Sequence, residues 1–218
     1  MENKELIKYE SSLIKRVGNA ISVTKKLLEL STINEAQTYL ESGINNSNST
    51  KYIEAIEDYT KAISINSKFA KAYCNRGFAK HKLKKFTEAI EDYSKGIELN
   101  PGEYVFHFYY LRGVAKKDLH NYSEAIKDFS KSIEINPKYA NAYNDRGNSY
   151  NSLDNISEAI KDYSKTIELN PKYYNGAAYY NRGNAKQKIG DKSACEDWRK
   201  AKDLGTTFAE EKLKKYCS

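Results

Sequence analysis

Residues 75–101 read NRGFAKHKLKKFTEAIEDYSKGIELNP, in which two amphipathic segments of helical period flank a short polar turn. Parts of this stretch return along the chain. The string EAI begins at four glutamates spaced by 34, 36 and 34 residues: Glu54, Glu88, Glu124 and Glu158. An Arg-Gly pair returns in step with it, at Arg76, Arg112, Arg146 and Arg182. A period of about 34 residues that holds two helical segments predicts a stack of helix-turn-helix units.

The composition agrees with an all-helical protein. The chain has 218 residues with only 11 glycines and three prolines, and strong helix formers predominate. Its N-terminus, MENKELIKYE, carries charges where a signal peptide needs an apolar core, and no apolar run reaches membrane-spanning length. We therefore predict no membrane partner. The net charge of +7 is compatible with a nucleic-acid or acidic partner, or simply with a solvated helical surface.

The three cysteines, Cys74, Cys195 and Cys217, are odd in number, lie far apart and form no CxxC pair. This spacing predicts neither a disulfide framework nor a zinc cluster, and it favours a reducing, cytoplasmic setting. A metal site that combines Cys74 with His81 and His107 is conceivable, but no ligand motif supports it. We predict no metal and no cofactor.

The repeated unit resembles the tetratricopeptide repeat. Counted from Ala70, the unit has Gly77 at position 8, Ala89 at position 20, Tyr93 at position 24 and Pro101 at position 32. Small residues at positions 8 and 20 let two helices approach closely, and the aromatic residue at position 24 fills the space between them. The resemblance covers residues 36–204 and implies an all-α, right-handed superhelical solenoid of about five helix-turn-helix repeats.

We expect the five repeats at residues 36–69, 70–103, 106–139, 140–173 and 176–204. Two-residue expansions at 102–105 and 172–175 lengthen either a helix or a loop. In the first repeat, residues 45–51 (NNSNSTK) are poor in helix formers, which predicts a short or frayed helix there. Residues 205–218 fit a C-terminal capping helix with Phe208 and Leu213 facing inward. Residues 1–35 form an N-terminal helical segment that either caps the first repeat or acts as a separate docking or dimerisation helix.

The arginines stand at position 7, where the family usually has leucine. A buried cation needs a partner, and position 23 supplies an aspartate in every repeat. These aspartates are Asp58, Asp92, Asp128, Asp162 and, after a shortened turn, Asp197. The first repeat has Ser42 in place of the arginine. Because there are five aspartates and four arginines, we predict that each aspartate pairs with the arginine of the following repeat.

In this family the first helix of each pair lines a concave groove. The resemblance implies groove positions whose N-terminal half is apolar, with Leu40 and Ile44, and whose C-terminal half is a ladder of asparagines. The groove residues predicted to bind a peptide are Lys71, Asn75, Phe78, Tyr110, Val114, Asn141, Asn144, Asn148, Asn181 and Asn184. Asparagine side chains can both donate to and accept from a peptide backbone. Alternatively, some of them cap helices or face solvent.

These features predict a non-catalytic interaction scaffold that binds an extended peptide or a partner protein, as a monomer or weak homodimer. No phosphate loop, catalytic carboxylate pair or Ser-His-Asp arrangement indicates an enzyme. Leu40, Ile44 and Leu111 stand where the carboxylate clamp of some family members would place polar residues, so that clamp is not expected. RNA binding is the alternative function, since the chain is basic and has 19 tyrosines. Most of those tyrosines recur at packing positions, so a nucleic-acid partner is not favoured.

Overall fold

The structure is a computed structural model that describes residues 2–99, 102 and 104–217, without the side chains of residues 2–7, 9–12 and 29. The described residues form eleven α-helices and one short 3-10 turn (Tyr173–Gly176), and they contain no strand. The helices are α1 (Glu2–Asn48), α2 (Tyr52–Ile65), α3 (Ala70–Lys82), α4 (Phe86–Leu99), α5 (Val105–Asp118), α6 (Tyr122–Ile135), α7 (Ala140–Ser152), α8 (Ile156–Leu169), α9 (Ala177–Lys188), α10 (Ala194–Asp203) and α11 (Ala209–Tyr216). Each helix packs against the next one in the chain. The protein is thus an all-α superhelical solenoid, as predicted.

Within each repeat, a glycine of the first helix faces an aromatic ring of the second. The five pairs are Gly43–Tyr59, Gly77–Tyr93, Gly113–Phe129, Gly147–Tyr163 and Gly183–Trp198. A Cβ atom at Gly147 would lie only 2.9 Å from Cε1 of Tyr163. The aromatic partners are buried, so the ring has little room to move away. The residue at position 8 is therefore small, because the two helices of the repeat approach each other closely there.

We expect Gly147→Ala to lower the free energy of unfolding by about 1–2 kcal/mol, because overpacking outweighs the better helix propensity of alanine. Urea denaturation followed by circular dichroism measures the change. The matched control is Gly18→Ala in α1, where a Cβ atom has no neighbour within 4 Å. That control is expected to be neutral or slightly stabilising. Equal losses in both variants would contradict the close-packing explanation.

The two expansions have different structures. At the first, Gly102 lies in a bend and Tyr104 in a turn, after which Val105 begins α5. The second forms the 3-10 turn, in which Tyr174 and Asn175 adopt left-handed backbone angles with φ of 37° and 53°. Tyr173 is buried, whereas Tyr174 is exposed. The second expansion therefore inserts a tyrosine into the repeat stack.

Each position-7 arginine forms a bidentate ion pair with the aspartate of its own repeat. Nε and Nη2 of Arg76 donate to Asp92 at 3.0 and 2.7 Å, and those of Arg146 both donate to Asp162 at 2.8 Å. The other two pairs are Arg112–Asp128 and Arg182–Asp197. The predicted pairing with the preceding repeat is therefore wrong. The two residues lie on adjacent helices of one unit, and the fork of the guanidinium matches the carboxylate there.

The third nitrogen of each guanidinium does form a hydrogen bond across the junction between two repeats. Nη1 donates to a hydroxyl in the second helix of the preceding repeat, at 3.0–3.1 Å. The acceptors are Thr60, Ser94, Ser130 and Ser164 for the arginines in chain order. We call the arginine, its aspartate and this hydroxyl the arginine clasp. A single guanidinium thus joins the two helices of its own repeat and also binds the second helix of the preceding repeat.

The first repeat satisfies its aspartate without an arginine. Asp58 accepts hydrogen bonds from Ser42 Oγ at 2.7 Å and from Asn46 Nδ2 at 2.9 Å. Both donors lie on α1, which remains helical as far as Asn48, so the predicted short helix is not observed. Because Asn46 binds the neighbouring helix, this contact offsets the weak helix propensity of the local sequence.

The C-terminal helix α11 covers the last repeat. Ala209 is fully buried and Leu213 packs against the cluster around Trp198, as expected for a cap. Phe208, predicted to face inward, is instead 71% exposed, because it precedes the first turn of α11. A disulfide joins Cys195 to Cys217, so the prediction of no disulfide is wrong. The cysteine argument for a reducing compartment therefore fails, and a cytoplasmic location stays a prediction.

The N-terminal segment continues into the first repeat as one helix. Every described residue from 13 to 35 is exposed, and burial begins at Ala36. The described residues from 13 to 35 therefore do not form a cap packed on the first repeat. The helical period places Leu6 on one apolar stripe with Leu13, Val17, Ile21 and Leu28, but the side chain of Leu6 lies outside the described residues. Among the described helices, none is both long and apolar enough to cross a bilayer.

Candidate peptide-binding groove

The first helices of the repeats form the inner layer of the solenoid. The repeat part of α1 contacts α3, and the series continues through α5, α7 and α9. Over the described residues, the second helices of successive repeats approach each other less closely. A stack whose first helices lie closer together curves toward them. The concave face is therefore built from α1, α3, α5, α7 and α9.

A cavity of about 500 Å³ lies on this face between α3 and α5. Three residues of the predicted site, Lys71, Asn75 and Phe78, line its α3 side. The opposite wall and rim are largely aromatic or aliphatic: Tyr104, Phe106, His107, Phe108 and Leu111. The shape and lining suit a large apolar side chain, with polar groups limited to the rim.

Cys74 forms part of the cavity wall. Burial raises the pKa of its thiol to about 12, so the sulfur stays protonated near neutral pH. A protonated thiol is neither a nucleophile nor a good metal ligand. Nor do the described residues contain any group of three or more metal-ligating side chains. His81, another member of the conceivable metal site, instead lies 2.8 Å from Asp118 of the next repeat.

Next to the cavity, the groove contains a polar cluster centred on the buried carboxylate of Asp145. Tyr110 Oη donates to it at 2.8 Å and Lys117 Nζ at 2.9 Å. Asn148 Nδ2 lies 3.4 Å from the same carboxylate. Desolvation, followed by the nearby Asp145 charge, raises the pKa of Tyr110, which therefore keeps its proton. Asp145 thus holds neighbouring repeats together at the floor of the groove.

The predicted asparagine ladder is largely engaged within the protein. Asn181 Nδ2 lies 3.3 Å from Asn144 Oδ1 and 3.4 Å from Asn148 Oδ1. Tyr163 Oη also donates to Asn148, at 2.9 Å. Asn184 accepts a bond of 3.1 Å from the indole of Trp198. Asn181 thus connects the last two repeats, whereas the bonds of Tyr163 to Asn148 and of Trp198 to Asn184 lie within one repeat.

Depth separates the predicted groove residues into two groups. At position 5, Leu40 is fully buried and Cys74 and Asn144 are nearly so, whereas Tyr110 is only half-buried. Leu40 therefore belongs to the core rather than to the groove wall. The half-buried side chains that reach the surface are Asn75, Phe78, Tyr110, Val114, Asn141, Asn148, Asn181 and Asn184, and Lys71 is exposed. A surface ligand would meet this second group.

The recurrent tyrosines are used for packing. At position 24, Tyr59, Tyr93 and Tyr163 are buried against the position-8 glycines. At position 4, the rings lie 5.4–5.6 Å from the clasp guanidiniums, in the pairs Tyr73–Arg76, Tyr109–Arg112, Tyr143–Arg146 and Tyr179–Arg182. These rings are therefore engaged in packing and in cation–π contacts within the protein.

Family comparisons agree with this architecture. The family model described as "Tetratricopeptide repeat" matches residues 70–103, 108–139 and 140–173, and one described as "TPR repeat" matches residues 51–84. Together the matches span more than half of the chain, so the protein belongs to the tetratricopeptide repeat family. Repeats of this family generally serve as non-catalytic interaction scaffolds. No significant match was found among curated protein sequences.

Solved structures share the fold. A crystal structure of MamA protein is 26% identical and aligns over 84% of this chain and 95% of its own, with a TM-score of 0.70. YrrB, described as a TPR protein with an unusual peptide-binding site, is 21% identical over 88% of this chain and 97% of its own, with a TM-score of 0.70. MamA from Desulfovibrio magneticus RS-1, residues 41 to the end, is 19% identical over 78% and 94%, with a TM-score of 0.71. The last two likenesses concern the fold alone.

Proposed function

We propose that the protein is a non-catalytic scaffold that holds an extended peptide segment of a partner protein in its concave groove. The observation that carries the proposal is the cavity of about 500 Å³ between α3 and α5. It is concave and mostly apolar, with a few polar groups at its edge, which are the general features of a binding site. A groove of this kind needs no catalytic group to select its ligand.

The cavity is the anchor site of this proposal. Phe78 and Leu111 supply apolar walls on facing helices, and a leucine or aromatic side chain of the ligand fills the space between them. Lys71 and Asn75 lie at the edge, where their side chains donate hydrogen bonds to peptide carbonyl groups. A peptide lying along the groove then continues toward Tyr110 and Asn141.

The asparagine ladder contributes less to affinity than the anchor site. Asn144 is nearly buried, and the amide oxygen of Asn148 already accepts bonds from Tyr163 and Asn181. Replacing Asn144, Asn148 and Asn181 together by alanine would alter the repeat stack as well as the groove. Substitutions in the apolar cavity therefore test ligand binding more directly.

We expect Phe78→Ala to weaken peptide binding roughly 10- to 100-fold, as for the loss of a central aromatic anchor. Peptides are first selected from a random display library against the full chain. Their dissociation constants for parent and variant are then measured by fluorescence anisotropy. The selected peptides should share one large apolar residue. Near-neutral changes are expected for Phe208→Ala, which removes an equally large ring that is 71% exposed on the far end of the solenoid.

The proposal fails if Phe78→Ala and Phe208→Ala bind the selected peptides equally well while both remain folded. The same measurement with homopolymer RNA addresses the alternative function. Tight RNA binding whose affinity falls steeply with salt would indicate a nucleic-acid partner instead. A peptide held mainly by the apolar cavity should respond only weakly to ionic strength.

A further inference from the structure

The exposed part of α1 has a continuous apolar face. Its exposed aliphatic side chains include Leu13, Ile14, Val17, Ile21, Leu27 and Leu28. At about 100° per residue, these side chains and Ala20 occupy an arc of roughly 140° on a segment about 24 Å long. Thr24 lies within this arc, but its hydroxyl donates to the backbone oxygens of Ala20 and Ile21 at 2.6 and 3.1 Å. The polar atom of Thr24 is thus satisfied, and the face remains apolar.

The charged residues of this segment are all basic. Residues 13–28 contain Lys15, Arg16, Lys25 and Lys26 and no acidic residue. On the helix, Arg16 lies at one edge of the apolar arc, between Leu27 and the exposed Val23, and Lys25 borders the other edge. Lys15 and Lys26 lie on the polar side. Long cationic side chains at these borders can lie along an apolar surface while their charges remain in water. This combination is typical of helices that lie in the interface of an anionic membrane.

A second copy of the chain fits this face less well. Two such helices would bring Arg16 and Lys25 of both copies together, four cations without any acidic partner in the segment, so their charges would repel. The apolar arc is also wider than the narrow seam that a two-stranded coiled coil buries. Alone in water, the segment has no tertiary packing to support its helix, although such packing supplies most of the helical stability in proteins.

We propose that residues 13–28 bind the surface of a membrane that contains anionic lipids, with the apolar face inserted and the lysines at the headgroups. This interaction is separate from the proposed groove, because the segment precedes the repeats and its described side chains do not pack on them. It replaces the expectation of no membrane partner, which the absence of a spanning helix does not address. The groove would then be presented at the membrane surface.

Co-sedimentation with vesicles tests the proposal, using the full chain and measuring its partition coefficient. We expect binding to vesicles of equal parts phosphatidylcholine and phosphatidylglycerol, and much weaker binding to phosphatidylcholine alone. Each basic residue near an anionic surface strengthens binding about fivefold, so Lys15→Glu/Lys26→Glu should weaken binding at least about 20-fold. Ile21→Asp should weaken it about tenfold or more, since a charge replaces inserted apolar surface.

Matched controls come from the repeats. Ile53→Asp changes an isoleucine that is 64% exposed on α2, against 63% for Ile21. Lys68→Glu/Lys138→Glu reverses two exposed lysines outside α1. Both controls should bind vesicles like the parent protein. Failure of the parent to bind the anionic vesicles, or equal binding to both vesicle types, would overturn the proposal. So would a dimer in sedimentation equilibrium that Ile21→Asp abolishes, since the face would then be covered by a second copy.

Discussion

Arg146→Leu should lower the free energy of unfolding by about 3–5 kcal/mol near neutral pH, because it leaves a buried carboxylate without its cation. Asp162 is 5% exposed, and both of its oxygens accept bonds from Arg146. Among the described ion pairs, Arg146 is the one cation bound to this carboxylate. In the other three clasps a lysine also binds the aspartate at 2.8 Å, namely Lys80, Lys116 and Lys186. The fourth repeat has Tyr150 at the corresponding position.

This difference supplies the control. Arg112→Leu removes the same guanidinium contacts but leaves Lys116 on Asp128, so we expect a smaller loss of about 1.5–3 kcal/mol. Urea denaturation monitored by circular dichroism measures both variants. If the two lose equal stability, or if Arg146→Leu melts like the parent protein, the clasp does not have the energetic role that its geometry suggests.

The loss in Arg146→Leu should also depend on pH. Burial raises the pKa of Asp162 above its usual value even in the parent protein, and removal of Arg146 raises it further. A raised pKa in the folded state means that folding favours the protonated carboxyl, so this group lowers stability as pH rises through that pKa. The stability difference between parent and variant should therefore shrink as pH falls and Asp162 becomes neutral. A difference that grows on acidification would contradict this sign.

Trp198→Ala should destabilise the C-terminal end of the solenoid by about 3–5 kcal/mol, the usual loss when a buried indole is truncated. The ring is 1% exposed, faces Gly183 and packs with Ala201 and Ala209. Its nitrogen also satisfies the amide oxygen of Asn184 at 3.1 Å. Because stability in repeat proteins is largely a sum of local terms, the loss should be concentrated in α9, α10 and α11.

Hydrogen exchange of backbone amides tests this localisation, with denaturation measuring the size of the loss. The control is Tyr216→Ala, which removes an aromatic neighbour 5.7 Å from Trp198 that is itself 42% exposed. We expect that control to lose about 1 kcal/mol or less. Faster exchange spread evenly over all repeats in Trp198→Ala would show that the stack unfolds as one unit.

The repeat architecture could be predicted because every unit places the same residue types at the same helical positions. Glycine at position 8 and the aromatic residue at position 24 describe one contact that recurs five times. The partner of each arginine was predicted wrongly, because a count of five aspartates and four arginines does not reveal that Ser42 and Asn46 satisfy Asp58. A hydroxyl at position 25, such as Ser94, was the signal for the contact across the junction.

Only the helix positions that line the groove could be predicted from the sequence. Family spacing locates helix faces, but it does not reveal that Asn181 bonds to Asn144, or that Leu40 is buried in the core. Likewise, Cys195 and Cys217 form no sequence motif. They meet because α11 folds back on α10, a tertiary contact with no local signal. The roles of the predicted groove residues in ligand binding remain predictions.

The residues of the arginine clasp are incomplete at both ends of the repeat array. The last repeat has Arg199 where the four earlier repeats have Thr or Ser, and α11 covers the end of the stack. At the other end, Ser42 replaces the arginine that would reach toward a further unit. Each terminal repeat therefore lacks the residue that would form a clasp with a further repeat. Two molecules therefore cannot repeat the arginine clasp across their ends, because Arg199 and Ser42 stand where the contact needs a hydroxyl and an arginine.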